Sequence, residues 1–409
     1  MTERSKKKVL IIMPYDNIYP PKNGGMIRCY NLFKQWSKLY FVDAIVHQDI
    51  SRVEDSFTKN NEFEYTTVYS TSDKGNIRKN ETSRFRKYLN AIRYRIITRR
   101  FNTITDSSFL KLYPILITLL RKFKYDAIIL ENLGLISQVD FFKRHQPNAI
   151  IIYDAYNVDS LLEKQINPSK DNKALWRKLE ETESALHKNI DILLCCSEND
   201  KAIFQKLNSG KLENIFVVPN GVDIEKFKYR GDVMVNSMKK ILFCGSLDYR
   251  PNKEGLLWFY EKIWPLIREM DSEIKLVIVG RGNKDDYKLL IKDNSVDFVG
   301  EVEELYPYYH DCCISIAPLL SGSGTRLKIL EAMSFGTPVI STEIGAEGIL
   351  YNNGINILIA NKPTEFANKI IELTRNAQLI NELSYNGRKL VEDTYSWDKI
   401  GFTLGQVFN

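Results

Sequence analysis

Residues 312–348 read CCISIAPLLSGSGTRLKILEAMSFGTPVISTEIGAEG. An apolar run leads into a loop holding Gly322, Ser323 and Gly324, then a helical segment, ILEAMSFG, and a second apolar run, TPVIST. Strand, glycine-bearing turn, helix and strand make a βαβ unit of a parallel sheet, whose ligands bind beyond the carboxyl ends of the strands. The loop after the first run is therefore the place to look for chemistry. Gly322 and Gly324 let backbone N–H groups turn toward an anion, the helix start adds partial positive charge, and Arg326 and Lys328 supply full charges. That combination suits a diphosphate. Glu331, on the first turns of the same helix, can accept the two hydroxyls of a ribose. The loop is neither GxxxxGK[ST] nor GxGxxG, so it is not read as a Walker A or dinucleotide motif.

The same alternation extends outward in both directions. KVLIIM, FVDAIV, TTVYS, DAIILE, AIIIYDA, DILLCCS and IFVVP precede Phe227, and KKILFCGS, KLVIVG, VDFVG, CCISIAPL, TPVIST and INILIA follow it, with helical patterns between. This predicts an α/β protein of two doubly wound Rossmann-like domains facing a cleft. A chain of 409 residues also exceeds one ordinary core, since domains run to about 100–200 residues. The turn signal PNG and the polar stretch after it place an interdomain linker at 219–238. The domains are then 1–218 and 239–385, with a C-terminal helical segment at 386–409.

With 44% hydrophobic and 26% charged residues the composition is that of a soluble globular protein. MTERSKKKVLIIMPY reads as a first strand, not a signal peptide, and no run reaches the roughly eighteen apolar residues of a membrane span, which predicts a cytoplasmic protein. Cys29, Cys195, Cys196, Cys244, Cys312 and Cys313 form no CxxC pair and read as free thiols. The four histidines show no ligand spacing, so no metal is expected. Net charge is +6, with ten Lys or Arg against Glu81 alone between Lys74 and Arg100. The helical spacing of Phe85, Tyr88, Leu89, Ile92, Ile96 and Ile97 makes this a basic amphipathic segment, suited to an anionic membrane surface or a phosphate-bearing partner. In the first domain Gly24 and Gly25 lie before a helix beginning near Met26, where they permit close backbone approach to a ligand and Arg28 adds charge.

These stretches together resemble family 4 glycosyltransferases, retaining enzymes of the GT-B fold. The resemblance rests on GSGTRLKILEAMSFGTPVISTEIGAEG, the opening VLIIMPY with its GG loop, IIYDAYNVDS, LLCCSENDK, VVPNGVDIEKF, ILFCGSLDYRPNKEG, LVIVGRG, VDFVGEV and TYSWDKI. It implies a nucleoside-diphosphate sugar as co-substrate, no other cofactor and no metal. Glu331 would bind the ribose, Arg326 and Lys328 the diphosphate, and the backbone around Gly300 to Val302 the base. Gly24 and Gly25 match the loop near the diphosphate and acceptor, while Gly245, Lys253, Ser323, Gly324 and Thr325 join the donor-binding set.

Three positions depart from the family pattern. Ser323 stands eight residues before Glu331, where an acidic residue is common. Ser246 follows Gly245 where many members have Arg, with Arg250 and Lys253 nearby. Glu131, in DAIILENLG, replaces a histidine and is placed with Arg326 and Lys328 among the catalytic residues. The implied reaction is sugar transfer to a carbohydrate or lipid-linked hydroxyl acceptor in polysaccharide, lipopolysaccharide or glycolipid assembly. The protein would work at the inner face of the membrane, with no nucleic-acid partner. An epimerase of the same fold and a non-catalytic nucleotide-sugar-binding protein are the alternatives.

Overall fold

The computed structural model describes residues 7–13, 19–21, 23–46, 66–70, 109–231, 239–322 and 324–407. The chain divides into two compact units, Met1–Val218 with Gly401–Asn409, and Pro219–Ile400. The basic segment Lys74–Arg100 and residue Ser323 lie outside the described residues.

In the first unit the strands are β1 (Lys8–Ile12), β2 (Phe41–Val46), β3 (Thr66–Ser70), β4 (Ala127–Leu130), β5 (Ile150–Asp154), β6 (Ile192–Cys195) and β7 (Ile215–Val217). Among the described residues they form one sheet in the order β3-β2-β1-β4-β5-β6-β7, parallel at every pairing. The second unit has β8 (Lys240–Cys244), β9 (Lys275–Val279), β10 (Val296–Gly300), β11 (Ile314–Ala317), β12 (Val339–Ser341) and β13 (Leu358–Ile359). Their order is β10-β9-β8-β11-β12-β13, again parallel throughout. Each sheet therefore has a switch point, between β1 and β4 and between β8 and β11, where flanking crossovers run in opposite directions and leave a crevice.

The strand sequences explain this architecture. Val9–Ile12 and Ile241–Phe243 are fully buried, as unbroken apolar runs must be when helices cover both faces of a parallel sheet. Burying each such Val, Ile, Leu or Phe contributes about 1.5–3 kcal/mol. All six cysteines are free and buried. Among the described residues no helix is long and apolar enough to cross a membrane.

The stretch read as a linker is instead part of the second unit over residues 219–231. The Arg230 guanidinium donates to the carbonyls of Tyr309 at 3.1 Å, Cys312 at 2.7 Å and Gly336 at 3.1 Å. Arg388 donates to the carbonyls of Phe227 at 2.6 Å and Ser334 at 2.7 Å, and the Phe227 ring meets that of Phe335 edge-on. The partners lie about a hundred residues away in sequence, so local polarity and turn residues conceal them. At the other end, the division falls at residue 400, inside the helix Trp397–Gln406, and not at 386. Gly401 and Gly405 pack against Gln35 and Leu39 of the first unit.

Candidate active site

In the second unit the loop after β11 leads into the helix Leu327–Phe335, which Gly336 ends in a left-handed conformation. Arg326 is the residue before the first turn and is only 8% exposed. Its guanidinium lies near Tyr249 and against Gly322, where an added Cβ would sit 2.8 Å from Nη2. Gly322 has φ +104°, so the loop needs glycine there for conformation and for space. Burial pushes the Arg326 value down, with Tyr249 and Glu347 opposing.

Lys328 is half-buried at the switch point of the sheet. Its Nζ donates to Asn252 Oδ1 at 2.7 Å and stands 4.8 Å from the centre of the Phe243 ring. Asn252, 6% exposed, is itself held by a 2.8 Å bond from Nδ2 to the Ser246 carbonyl. Gly245 ends the first strand of this unit in close contact with both, since a Cβ there would lie 2.6 Å from Lys328 Nζ and 2.9 Å from Asn252 Nδ2. Desolvation brings the Lys328 ammonium down to about 8, helped by the like charge of Arg326 and opposed by Cys244 and Glu331.

The sign of the pH dependence follows. An anion bound through Lys328 needs the protonated form, which is lost as pH rises through about 8. Affinity for a nucleoside diphosphate is expected to be near its plateau at neutral pH and to fall about tenfold over the two pH units centred on that value. Titration calorimetry across the range checks this, and a flat profile would contradict it.

Glu331 is half-buried on the same helix. Burial raises its carboxyl, while Lys226 and then Lys328 pull it back. Thr325 is 8% exposed, and its Oγ1 is buried without a hydrogen-bond partner among the described residues. Gly324 also has positive φ, +81°. Gly300, φ +88°, closes β10 and accepts a 2.8 Å bond from Gly280 N, and Val302 packs against the apolar cluster around Tyr309. Lys253 is engaged with Asp286 at 2.7 Å. Among the described residues no group of three or more His, Cys, Asp or Glu is placed to hold a metal ion. Sequence reasoning missed Asn252 and Lys226. The signal for Asn252 was its place just beyond the carboxyl end of β8, in the first turn of the helix Arg250–Trp258, beside the helix that carries Lys328.

The first unit holds the remaining expected residues. Gly24 and Gly25 form the first turn of the helix Gly24–Leu39, and Asn23 caps it by accepting from Met26 N at 3.0 Å. Arg28 corrects an expectation. It is 1% exposed and gives no charge to an open loop, because Nε and Nη2 donate to the two Asp154 oxygens at 3.1 and 2.5 Å and Nη1 donates to the Val218 carbonyl at 2.7 Å. Burial alone would lower the Arg28 value, but Asp154 beside it wins and the side chain stays charged. Glu131 follows β4, is 3% exposed, and its Oε2 accepts from the Tyr156 hydroxyl at 2.6 Å. Burial first and Asp154 second raise its carboxyl well above the usual range, which favours the protonated acid.

Residues 238–376 match the family model described as glycosyl transferases group 1. That stretch is about a third of the chain and lies within the second unit. The expected resemblance to family 4 glycosyltransferases holds, and so does the GT-B fold. A protein from the cps region of Klebsiella pneumoniae is 33% identical over 168 residues, 39% of this chain and 43% of that one. A phosphatidyl-myo-inositol mannosyltransferase of Mycobacterium leprae is 24% identical over 47% of this chain and 52% of its own length. The chain thus spans about half the length of these curated relatives. Anabaena HepE, crystallised with UDP, superposes with a TM-score of 0.67 at 13% identity, covering 98% of this chain and 99% of that one. At that identity the glycosyltransferase likeness of the whole chain is one of fold.

Proposed function

We propose that the chain transfers a sugar, with retention at the anomeric carbon, from a nucleoside-diphosphate sugar to a hydroxyl acceptor, and that the second unit binds the donor. The observation that carries this reading is the gathering of Arg326, Lys328 and a helix start around glycines at the carboxyl ends of β8 and β11. Breaking the bond from anomeric carbon to phosphate leaves charge on the departing diphosphate while the sugar becomes oxocarbenium-like. Fixed cations and backbone N–H groups aimed at that oxygen stabilise the leaving group without reorganising. Arg326 and Lys328 take that role in place of a metal ion, and the unpartnered Thr325 hydroxyl adds a donor. Glu331 accepts the ribose hydroxyls, and the backbone from Gly300 to Val302 meets the base.

Front-face attack, with the leaving phosphate taking the acceptor proton, needs no nucleophile from the protein. The first unit binds the acceptor, with Glu131, Gly24 and Gly25 as its contacts. The cps-region relative and the mannosyltransferase support polysaccharide or glycolipid assembly. The basic segment Lys74–Arg100 then holds the protein to an anionic inner membrane surface. The test is to incubate the full chain with UDP-, GDP- and ADP-sugars and membrane glycan extracts, reading nucleoside diphosphate release and the anomeric configuration of the product by NMR. Acceptor-dependent release with retention is expected. Donor conversion without acceptor would point to an epimerase, and binding without turnover to a non-catalytic protein; either would overturn transfer.

A further inference from the structure

Within the first unit a cavity of about 310 Å3 opens at the carboxyl ends of β4 and β5, lined by Glu131, Asn132, Tyr153, Asp154, Tyr156 and Asp159 among others. Its size is at the small end of ligand pockets, about 300–1,000 Å3. Two of its polar groups face it without a hydrogen-bond partner among the described residues. Tyr153 is only 2% exposed, yet its hydroxyl meets no hydrogen-bond partner among the described residues. The Asp159 carboxylate likewise has none, and burial, with Glu163 second, lifts it to about 6. A tyrosine hydroxyl that reaches a cavity from an otherwise buried ring, with no partner in the fold, is open to a ligand atom.

The lining also selects the ligand. It holds no Lys, Arg or His. The nearby cation, Arg28, is committed to Asp154 and to the Val218 carbonyl. Glu183, fully buried, stands behind the helix Asp159–Ile166 with Oε1 accepting from Ser160 N. Carboxyl groups therefore outnumber cations, and the cavity offers mainly acceptors to an incoming molecule. A phosphate or uronate brought here would meet like charge and no fork of donors. A ring bearing several hydroxyls supplies donors to the Asp159 carboxylate, and the Glu131 acid, the two tyrosine hydroxyls and the two asparagine amides can serve either way.

We propose that this cavity binds a hydroxyl-rich sugar ring that carries no acidic group. Under the transfer reading above, on which this identification rests, the ring is the terminal residue of the acceptor. The test is saturation-transfer NMR on the full chain with methyl glycosides of glucose, galactose, mannose and glucosamine, set against methyl glucuronide and glucose 6-phosphate. At least one neutral or amino glycoside should bind and the acidic ones should not. Tyr153→Phe and Asp159→Asn, which keep shape, should each weaken that binding about tenfold, the value of one hydrogen bond to a buried group.

Absence of binding by every neutral and amino glycoside, equal binding of the acidic ones, or undiminished binding in both variants would overturn the proposal. UDP, GDP and ADP titrated into the same samples report the donor reading separately. Glycosides that bind where no nucleotide does would remove the transfer reading while leaving the cavity's ligand class intact.

Discussion

Replacing Lys328 with alanine is expected to lower kcat/KM for sugar transfer about 10²- to 10³-fold, the usual cost of removing one preorganised stabiliser of developing negative charge. The size of the effect follows from geometry. The ammonium sits between Asn252 Oδ1 and the Phe243 ring, within contact of Gly245, where surrounding protein partly replaces water. A cation held there costs little reorganisation when charge forms on the diphosphate. The fold should survive the substitution, because the protein loses a desolvated amine whose charge it already disfavours. Thermal unfolding within a few degrees of the parent, together with the kinetic loss, is the predicted pair of results. Unchanged kcat/KM would remove Lys328 from the site.

Replacing Asp154 with alanine is expected to destabilise the first unit by about 3–5 kcal/mol, because the Arg28 charge would be left buried without its partner. Arg28 is 1% exposed and Asp154 2%, and no surface pair would be worth as much. A melting temperature lower by roughly 10 °C is the corresponding thermal shift for a unit of this size. The cause is testable, since the double change Arg28→Met, Asp154→Leu removes both charges and should recover most of the loss. Denaturant titration of the three proteins decides it. A loss under 1 kcal/mol for Asp154→Ala alone would mean that the pair is not buried as described.

Much of this was legible in the sequence. Unbroken runs such as VLII, AIIL and ILF, alternating with helical patterns, fit strands buried on both faces of a parallel sheet, so the elements and the loops that matter could be read directly. Arg326, Lys328 and Glu331 were visible because one short loop and helix carry them all. What escaped notice depends on contacts between distant segments. Asn252 matters because the helix that follows β8 starts beside the helix that follows β11, and Lys226 because residues 219–231 belong to the second unit. Arg28 was misread for the same reason. Its helix position suggests an open cation, whereas its partner Asp154 lies 126 residues away. The first-unit cavity was equally hidden, since IIYDAYNVDS gives no sign that Tyr153 and Asp159 lack partners in the fold.

In the proposed reaction the second unit holds a nucleoside diphosphate through Arg326 and Lys328. Isothermal titration of UDP, GDP and ADP into the full chain at pH 7, beside an Arg326→Ala, Lys328→Ala variant shown by circular dichroism to be folded, tests it most directly. Saturable binding of at least one nucleotide at a single site is expected, weakened at least a hundredfold in the variant. Binding of equal strength to both proteins, or of none of the three nucleotides to the parent, would contradict it.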